Sequence, residues 1–232
     1  MTTAAVPGPS ERALGAGEPV RRLIVWRHGQ TTHNAAGIWQ GQLDTELSEL
    51  GRSQAAIASA ALTAYDPVVI WSSDLQRAAA TAAALARRTG LPVHTDQRLR
   101  EIDVGRWSGL DGGQVRTAYG PMLDAVTRGE DLRRGETGET VGEVAQRTRA
   151  AADDLLARLP AGATSVIATH GVAGRALVAA LAGIDQHTAW LHFAGLGNCH
   201  WAELVESPHG WRIEQWNARA PQPEAPEKEE TS

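Results

Sequence analysis

Short apolar runs alternating with longer helical stretches constrain this chain more than any other feature of it. Leu23-Ile24-Val25-Trp26, Val68-Val69-Ile70-Trp71 and the stretch from Thr164 to Thr169 are rich in β-branched and aromatic residues and only long enough for buried strands. Leu91 to Thr95 reads as a further short strand. Between these runs the helical signals are equally local. Ser48 can cap a helix over 49–62, although Gly51 weakens its first turn. Ser73-x-x-Gln76 is a capping-box pattern ahead of an Ala-rich helix that stops at Gly90. Thr140-x-x-Glu143 is another, and it opens a helix whose apolar face runs from Val141 through Val144, Ala145, Thr148 and Ala152 to Leu159. A helix over 112–126 and one from Val172 to Leu181 complete the set. Two last strands, about 198–205 and 210–216, are joined by a turn at Pro208-His209-Gly210. Strands separated by helices imply an α/β fold, a three-layer α/β/α sandwich with a mostly parallel central sheet. The final hairpin gives that sheet an antiparallel edge.

The ends differ from the body. Residues 1–20 are Ala/Gly/Pro-rich and residues 219–232 are acidic and Pro/Glu-rich, so neither can bury enough apolar surface to offset chain entropy. Both read as disordered, and 21–218 as one domain. Of the net charge of −5, residues 221–232 carry four Glu against one Lys and the leader two Glu against one Arg, leaving the remainder near −1. A near-neutral body offers no basic field for nucleic acid, so an anion site must be made locally. The single cysteine, Cys199, excludes an intramolecular disulfide and a Cys-based zinc site. No run of 18 apolar residues and no signal-peptide core is present, so the expectation is a cytoplasmic protein with no membrane partner.

Chemistry concentrates where strands end. The first strand runs directly into Arg27-His28-Gly29, at the end of an α/β sheet where ligands bind. A guanidinium offers phosphate oxygens a fixed fork of donors, and a neutral, oriented imidazole can form a covalent intermediate. Cationic neighbours favour that neutral form. After the second strand, Arg77 falls on the first turn of a helix, whose free amides suit an anion. The loop Arg100-Glu101-Ile102-Asp103 offers two acids, and the 164–169 strand ends in a second His-Gly pair, His170-Gly171.

Arg27-His28-Gly29 with Thr31 and Asn34, the string SSxLxRAxxT over 72–81, Glu101-x-x-x-Gly105-x-Trp107 and Thr169-His170-Gly171 occur in this order. Together they resemble the signatures of the histidine phosphatase superfamily, the phosphoglycerate mutase-like proteins. The resemblance implies a metal-independent phosphomonoester hydrolase that needs no cofactor and works through a phosphohistidine. By it, His28 is the nucleophile, Glu101 rather than Asp103 the proton donor, and His170 a phosphate ligand that stabilises the transition state. Arg27, Asn34 and Arg77 join His170 around the phosphoryl group, and Gln40, Gly41 and Gly171 contact the substrate. Relatives of this kind often dimerise, so a homodimer is the expected assembly.

Within the superfamily, the stretch from Gln40 to Gly51, Gly138-Glu139-Thr140, the stretch Gly197 to Trp201 and Trp216-Asn217 resemble the actinobacterial glucosyl-3-phosphoglycerate phosphatases. That resemblance implies a small phosphorylated glycerate carrying a sugar as substrate, with Trp39 a candidate platform for the sugar. Three alternatives remain at this stage. One is a broad-specificity histidine phosphatase. Another is a 2,3-bisphosphoglycerate-dependent mutase, which Arg133 and Arg134 keep open although the segment after the acid motif is short and holds one proline. The last is a non-catalytic binding protein on the same fold.

Overall fold

The computed structural model describes residues 19–220. The disorder expected of residues 1–18 and 221–232 lies outside the described residues. A six-stranded sheet organises them, in the order β3-β2-β4-β1-β5-β6. Its strands are β1 (Arg22–Arg27), β2 (Pro67–Ser72), β3 (Val93–Thr95), β4 (Thr164–Thr169), β5 (Trp201–Ser207) and β6 (Gly210–Ala218). The first four run parallel, with β4 between β1 and β2. The β5–β6 hairpin adds on antiparallel beside β1.

The helices are α1 (Thr32–Ala35), α2 (Glu49–Thr63), α3 (Gln76–Thr89), α4 (Gly112–Thr127), α5 (Val141–Leu156), α6 (Gly171–Ala182) and α7 (Gln186–His192). Strand periodicity sorts them into two layers. Leu23 and Val25 of β1 pack with Ile167 of β4 against Leu155 of α5 and Leu177 of α6. Ile24 and Trp26, pointing the other way, pack with Val166 and Ala168 against Ala55 and Leu62 of α2 and Leu85 of α3. The four β1 residues are fully buried, each worth about 1.5–3 kcal/mol. A third apolar cluster joins Ile102, Val104 and Trp107 of the 96–111 segment to Val115, Val126, Val141 and Val144. Tyr119 departs from helical geometry just before Pro121, so α4 is kinked.

Most caps fall where the sequence places them. Ser48 accepts from Gly51 N, Thr140 and Glu143 form a complete capping box, and Gly90 closes α3 in the left-handed conformation at φ 73°. Ser73 does not cap α3. Its N-cap position is Leu75, with no side-chain cap. The amides expected to stay free there are not all free either, because Asp44 takes Gln76 N at 2.7 Å. Val68, expected in a buried strand, is half exposed near the sheet edge. The third strand begins at Val93, not Leu91, and α7 carries too few apolar residues to show a period in the sequence. No helix among the described residues is long and apolar enough to cross a membrane.

Candidate active site

The carboxyl ends of β1, β2 and β4 meet at one place, and the backbone there is packed with no room to spare. A Cβ on Gly51 would stand 2.0 Å from the Gln30 carbonyl oxygen, and one on Gly29 would stand 2.4 Å from Gly51 O. The glycine that weakens α2 as a helix is what lets α2 touch the loop after β1. Ser48 adds to the same contact, its backbone N–H donating to Gln30 O at 2.9 Å.

His28 leaves β1 with its N–H donating to Thr169 O of β4 at 2.9 Å. Its ring lies 2.6 Å through Nδ1 from Gly29 O. A carbonyl only accepts, so Nδ1 carries the hydrogen and Nε2 holds a free lone pair. Burial, followed by the Arg27 and Arg77 charges, holds the pKa of His28 well below the usual histidine range. The ring is neutral at physiological pH. His170, fully buried, stands edge-on to it with ring centroids 5.1 Å apart. Burial again lowers the pKa most, with Arg77, His28, Arg27 and Arg147 adding to it.

Ser73 explains how His170 is oriented. Its Oγ lies 2.9 Å from His170 Nε2 and accepts from Leu75 N at 3.3 Å. Donation from this hydroxyl to Nε2 places the His170 proton on Nδ1. His170 Nδ1, Arg27 Nε and Arg77 Nε are all buried donors without a hydrogen-bond partner. A buried donor left unpaired costs about 1–3 kcal/mol.

Both arginines commit other donors to backbone carbonyls. Arg77 gives NH2 to Gly41 O at 2.7 Å and NH1 to Leu43 O at 2.6 Å. Burial lowers it to about 10, partly opposed by Glu101 and Asp44, so it stays charged at neutral pH. Arg27 gives NH1 to Leu196 O, and burial lowers its pKa too. Asn34 sits in the capping box of α1 with Oδ1 accepting from Thr31 N, which turns its NH2 group to the cleft it lines. Gln40 is fixed likewise, Oε1 accepting from Thr31 Oγ1 at 2.9 Å and Thr45 Oγ1 at 2.5 Å.

These side chains line a cleft of ≈ 260 Å³ that includes Arg27, His28, Asn34, Gln40, Gly41, Arg77 and Glu101. Gly37, Ile38, Trp39, Ile102, Val104 and Val172 form the rest of its wall. The aliphatic part of that wall gave no signal in the sequence. Gly171 is beside the cleft, where a Cβ would approach Arg27 Cζ and Nε at 3.5 Å and Glu101 Oε2 at 3.6 Å. Gly41, at φ 51°, has an architectural duty as well, since a Cβ there would reach Val104 Cγ2 at 2.7 Å.

Of the two acids, only Glu101 lines the cleft. Asp103 turns back to accept from Gly105 N at 2.8 Å. Glu101 occupies the amino end of α6: Oε1 accepts from Ala173 N and Ile102 N at 2.9 Å, and Oε2 from Val172 N at 3.1 Å. Arg133 and Arg134 stay away from the cleft. Arg133 binds Glu143 and Gly138 O, and Arg134 binds Leu132 O with its guanidinium over Trp190. Cys199 is buried, and burial pushes its thiol up to about 12, so it is inert.

A family model described as the histidine phosphatase superfamily, branch 1, matches residues 23–219. The chain belongs to that superfamily. It is 41% identical over 216 residues to the glucosyl-3-phosphoglycerate phosphatase of Mycobacterium tuberculosis strain H37Rv, covering 86% of this chain and 96% of the relative. The Mycolicibacterium vanbaalenii protein of the same name is 38% identical over 218 residues, with 87% and 96% covered. Among solved structures, the mycobacterial glucosyl-3-phosphoglycerate phosphatase in complex with VO3 superposes with a TM-score of 0.79 at 42% identity, covering 85% of this chain and 99% of the other. A probable phosphoglycerate mutase of Yersinia pestis is more distant, 34% identical over 198 residues, with 83% and 91% covered.

Proposed function

We propose that this histidine phosphatase hydrolyses glucosyl-3-phosphoglycerate through a phosphohistidine at His28. The observation that carries the reading is the set of three buried, unpartnered donors, Arg27 Nε, Arg77 Nε and His170 Nδ1, around a neutral histidine with Nε2 free. A phosphoryl group satisfies all three, and phosphoryl transfer needs mainly positioning and charge stabilisation. That a mycobacterial relative is solved in complex with VO3 and with inorganic phosphate supports a phosphate-like ligand.

In the first step His28 Nε2 attacks phosphorus in line. The bond from phosphorus to the glycerate oxygen breaks, and Glu101 delivers a proton to that oxygen. Gly29 O, bound to Nδ1–H, stabilises the positive charge the ring acquires. In the second step the Glu101 carboxylate takes a proton from water, whose oxygen attacks phosphorus. Phosphate leaves and His28 returns to its neutral form. Asn34 and Gln40 hold phosphate oxygens or the ester, and Gly41 and Gly171 shape the space.

The sugar belongs on the part of the wall where Trp39 is braced edge-on by Trp107 with centroids 5.1 Å apart. An indole held this way presents a fixed face to a sugar's C–H side. The commitment of Arg133 and Arg134 to other partners favours hydrolysis over mutase chemistry. We place the catalytic unit at 21–218 and propose a homodimer in the cytoplasm.

Phosphate release in EDTA buffer from glucosyl-3-phosphoglycerate, 3-phosphoglycerate and p-nitrophenyl phosphate tests the reading. The expected result is a strong preference for the glucosyl ester, abolished in His28→Ala. Trp39→Ala should erase the preference and spare the aryl phosphate. Equal activity across the panel leaves a general phosphatase, and turnover by His28→Ala above a trace refutes the scheme.

A further inference from the structure

We propose that Arg147, on α5 and outside the cleft, is the positioning residue for Glu101. The proposal rests on the reading of Glu101 as proton donor. The segment from Arg100 to Val104 belongs to no helix and no strand, so no ladder holds its backbone. Arg147 does so instead. Its NH1 donates to Arg98 O at 2.8 Å and Arg100 O at 2.6 Å, and its NH2 to Glu101 O at 2.9 Å. The remaining donors grip Glu139 side-on, Nε to Oε1 and NH2 to Oε2, both at 2.8 Å.

Glu139 closes the frame from the other side. Its Oε2 also accepts from Asp103 N at 2.8 Å, and its own N–H donates to Asp103 O at 2.9 Å. One guanidinium therefore ties the backbone on both sides of Glu101 to α5, while the carboxylate is bound by amides of α6. The lateral position of the acid is fixed by the packing of α5 against α6. A planar fork with five donors can span a carboxylate and three carbonyls, which a lysine ammonium with three donors cannot.

The test compares kcat/KM for glucosyl-3-phosphoglycerate, whose leaving alkoxide needs a proton, with p-nitrophenyl phosphate, whose leaving group does not. Arg147→Lys and Glu139→Gln, both conservative enough to fold, are measured beside Arg147→Met, Glu101→Gln and the double variant Arg147→Lys/Glu101→Gln, with circular dichroism confirming the fold. Displacing an acid by about an ångström costs on the order of 100-fold. Arg147→Lys should thus lower kcat/KM about 10- to 100-fold on the glucosyl ester and less than about 3-fold on the aryl ester. In the Glu101→Gln background the same substitution should cost less than about 3-fold on either ester, because coupled residues are not additive.

Equal losses on the two esters for Arg147→Lys, or losses that multiply in the double variant, overturn the proposal. Glu101→Gln alone reports on the acid itself. If its losses are equal on both esters, the proton-donor reading falls, and the double variant still decides whether Arg147 acts through Glu101.

Discussion

The neutrality of His28 and His170 makes stability depend on pH in a way that can be calculated. Both rings are buried, at 3% and 0% exposure, and burial is the largest cause lowering each pKa well below 6.5. In the unfolded chain both return to about 6.5. Below that pH the unfolded state binds protons that the folded state refuses, so stability falls as the solution is acidified. The contribution is fully present above the unfolded pKa and is lost progressively on the way down to the folded one. Between pH 7.5 and 5.5, a histidine that stays neutral in the fold costs a little over 1 kcal/mol, and the pair about 3 kcal/mol. That is a large part of the 5–15 kcal/mol stability typical of a domain.

The assay is urea denaturation at both pH values, without phosphate, for the wild type and for His28→Gln/His170→Gln. Subtracting the double variant cancels every group common to both proteins. The wild type should lose about 3 kcal/mol more than the variant on acidification. Parallel losses would mean that the folded protein accepts protons on these rings as readily as the unfolded chain. The neutral nucleophile would then be wrong, and with it the electrostatic argument for the site.

Ser73→Ala removes the hydroxyl that directs the His170 proton to Nδ1. A lost hydrogen bond of about 1.4 kcal/mol lowers kcat roughly tenfold, and nitrogen NMR of the ring should show mixed tautomers. Gly51→Ala forces a methyl to 2.0 Å from Gln30 O, so urea denaturation should show about 1–3 kcal/mol of lost stability, with turnover falling as the His28 loop shifts.

Local signals in the sequence were sufficient wherever the structure uses residues locally. Ser48, Gly90 and the Thr140–Glu143 box act within a few residues of themselves, and all three function as the pattern implies. The continuous apolar run from Leu23 to Trp26 reads as a buried strand, and its two faces pack against the two helical layers. Ser73-x-x-Gln76 has the spacing of a cap, but the hydroxyl bonds a ring 97 positions away. Gly51 looked like a flaw in α2 because the loop it accommodates is 21 positions earlier and invisible to helix propensity. Arg147 lies on α5 off the apolar face read from the sequence. Nothing local says that its partners are the carbonyls of a loop carrying an acid.

What was hidden is also what makes the cleft selective. Arg27, Arg77 and His170 each keep one buried nitrogen without a protein partner at the same place. Each of the three is also anchored, to a backbone carbonyl or to Ser73, which restricts its rotation. An acceptor-rich ligand in the cleft would satisfy these nitrogens together. A phosphoryl group carries several acceptor oxygens and negative charge. A neutral sugar hydroxyl or a second cation cannot replace it, since the first brings little charge and the second repels the arginines. On the proposed function, selectivity for the phosphoryl group follows from these nitrogens and the two arginine charges. Selectivity for what the phosphate is attached to falls to the separate wall of Ile38, Trp39, Val104 and Val172.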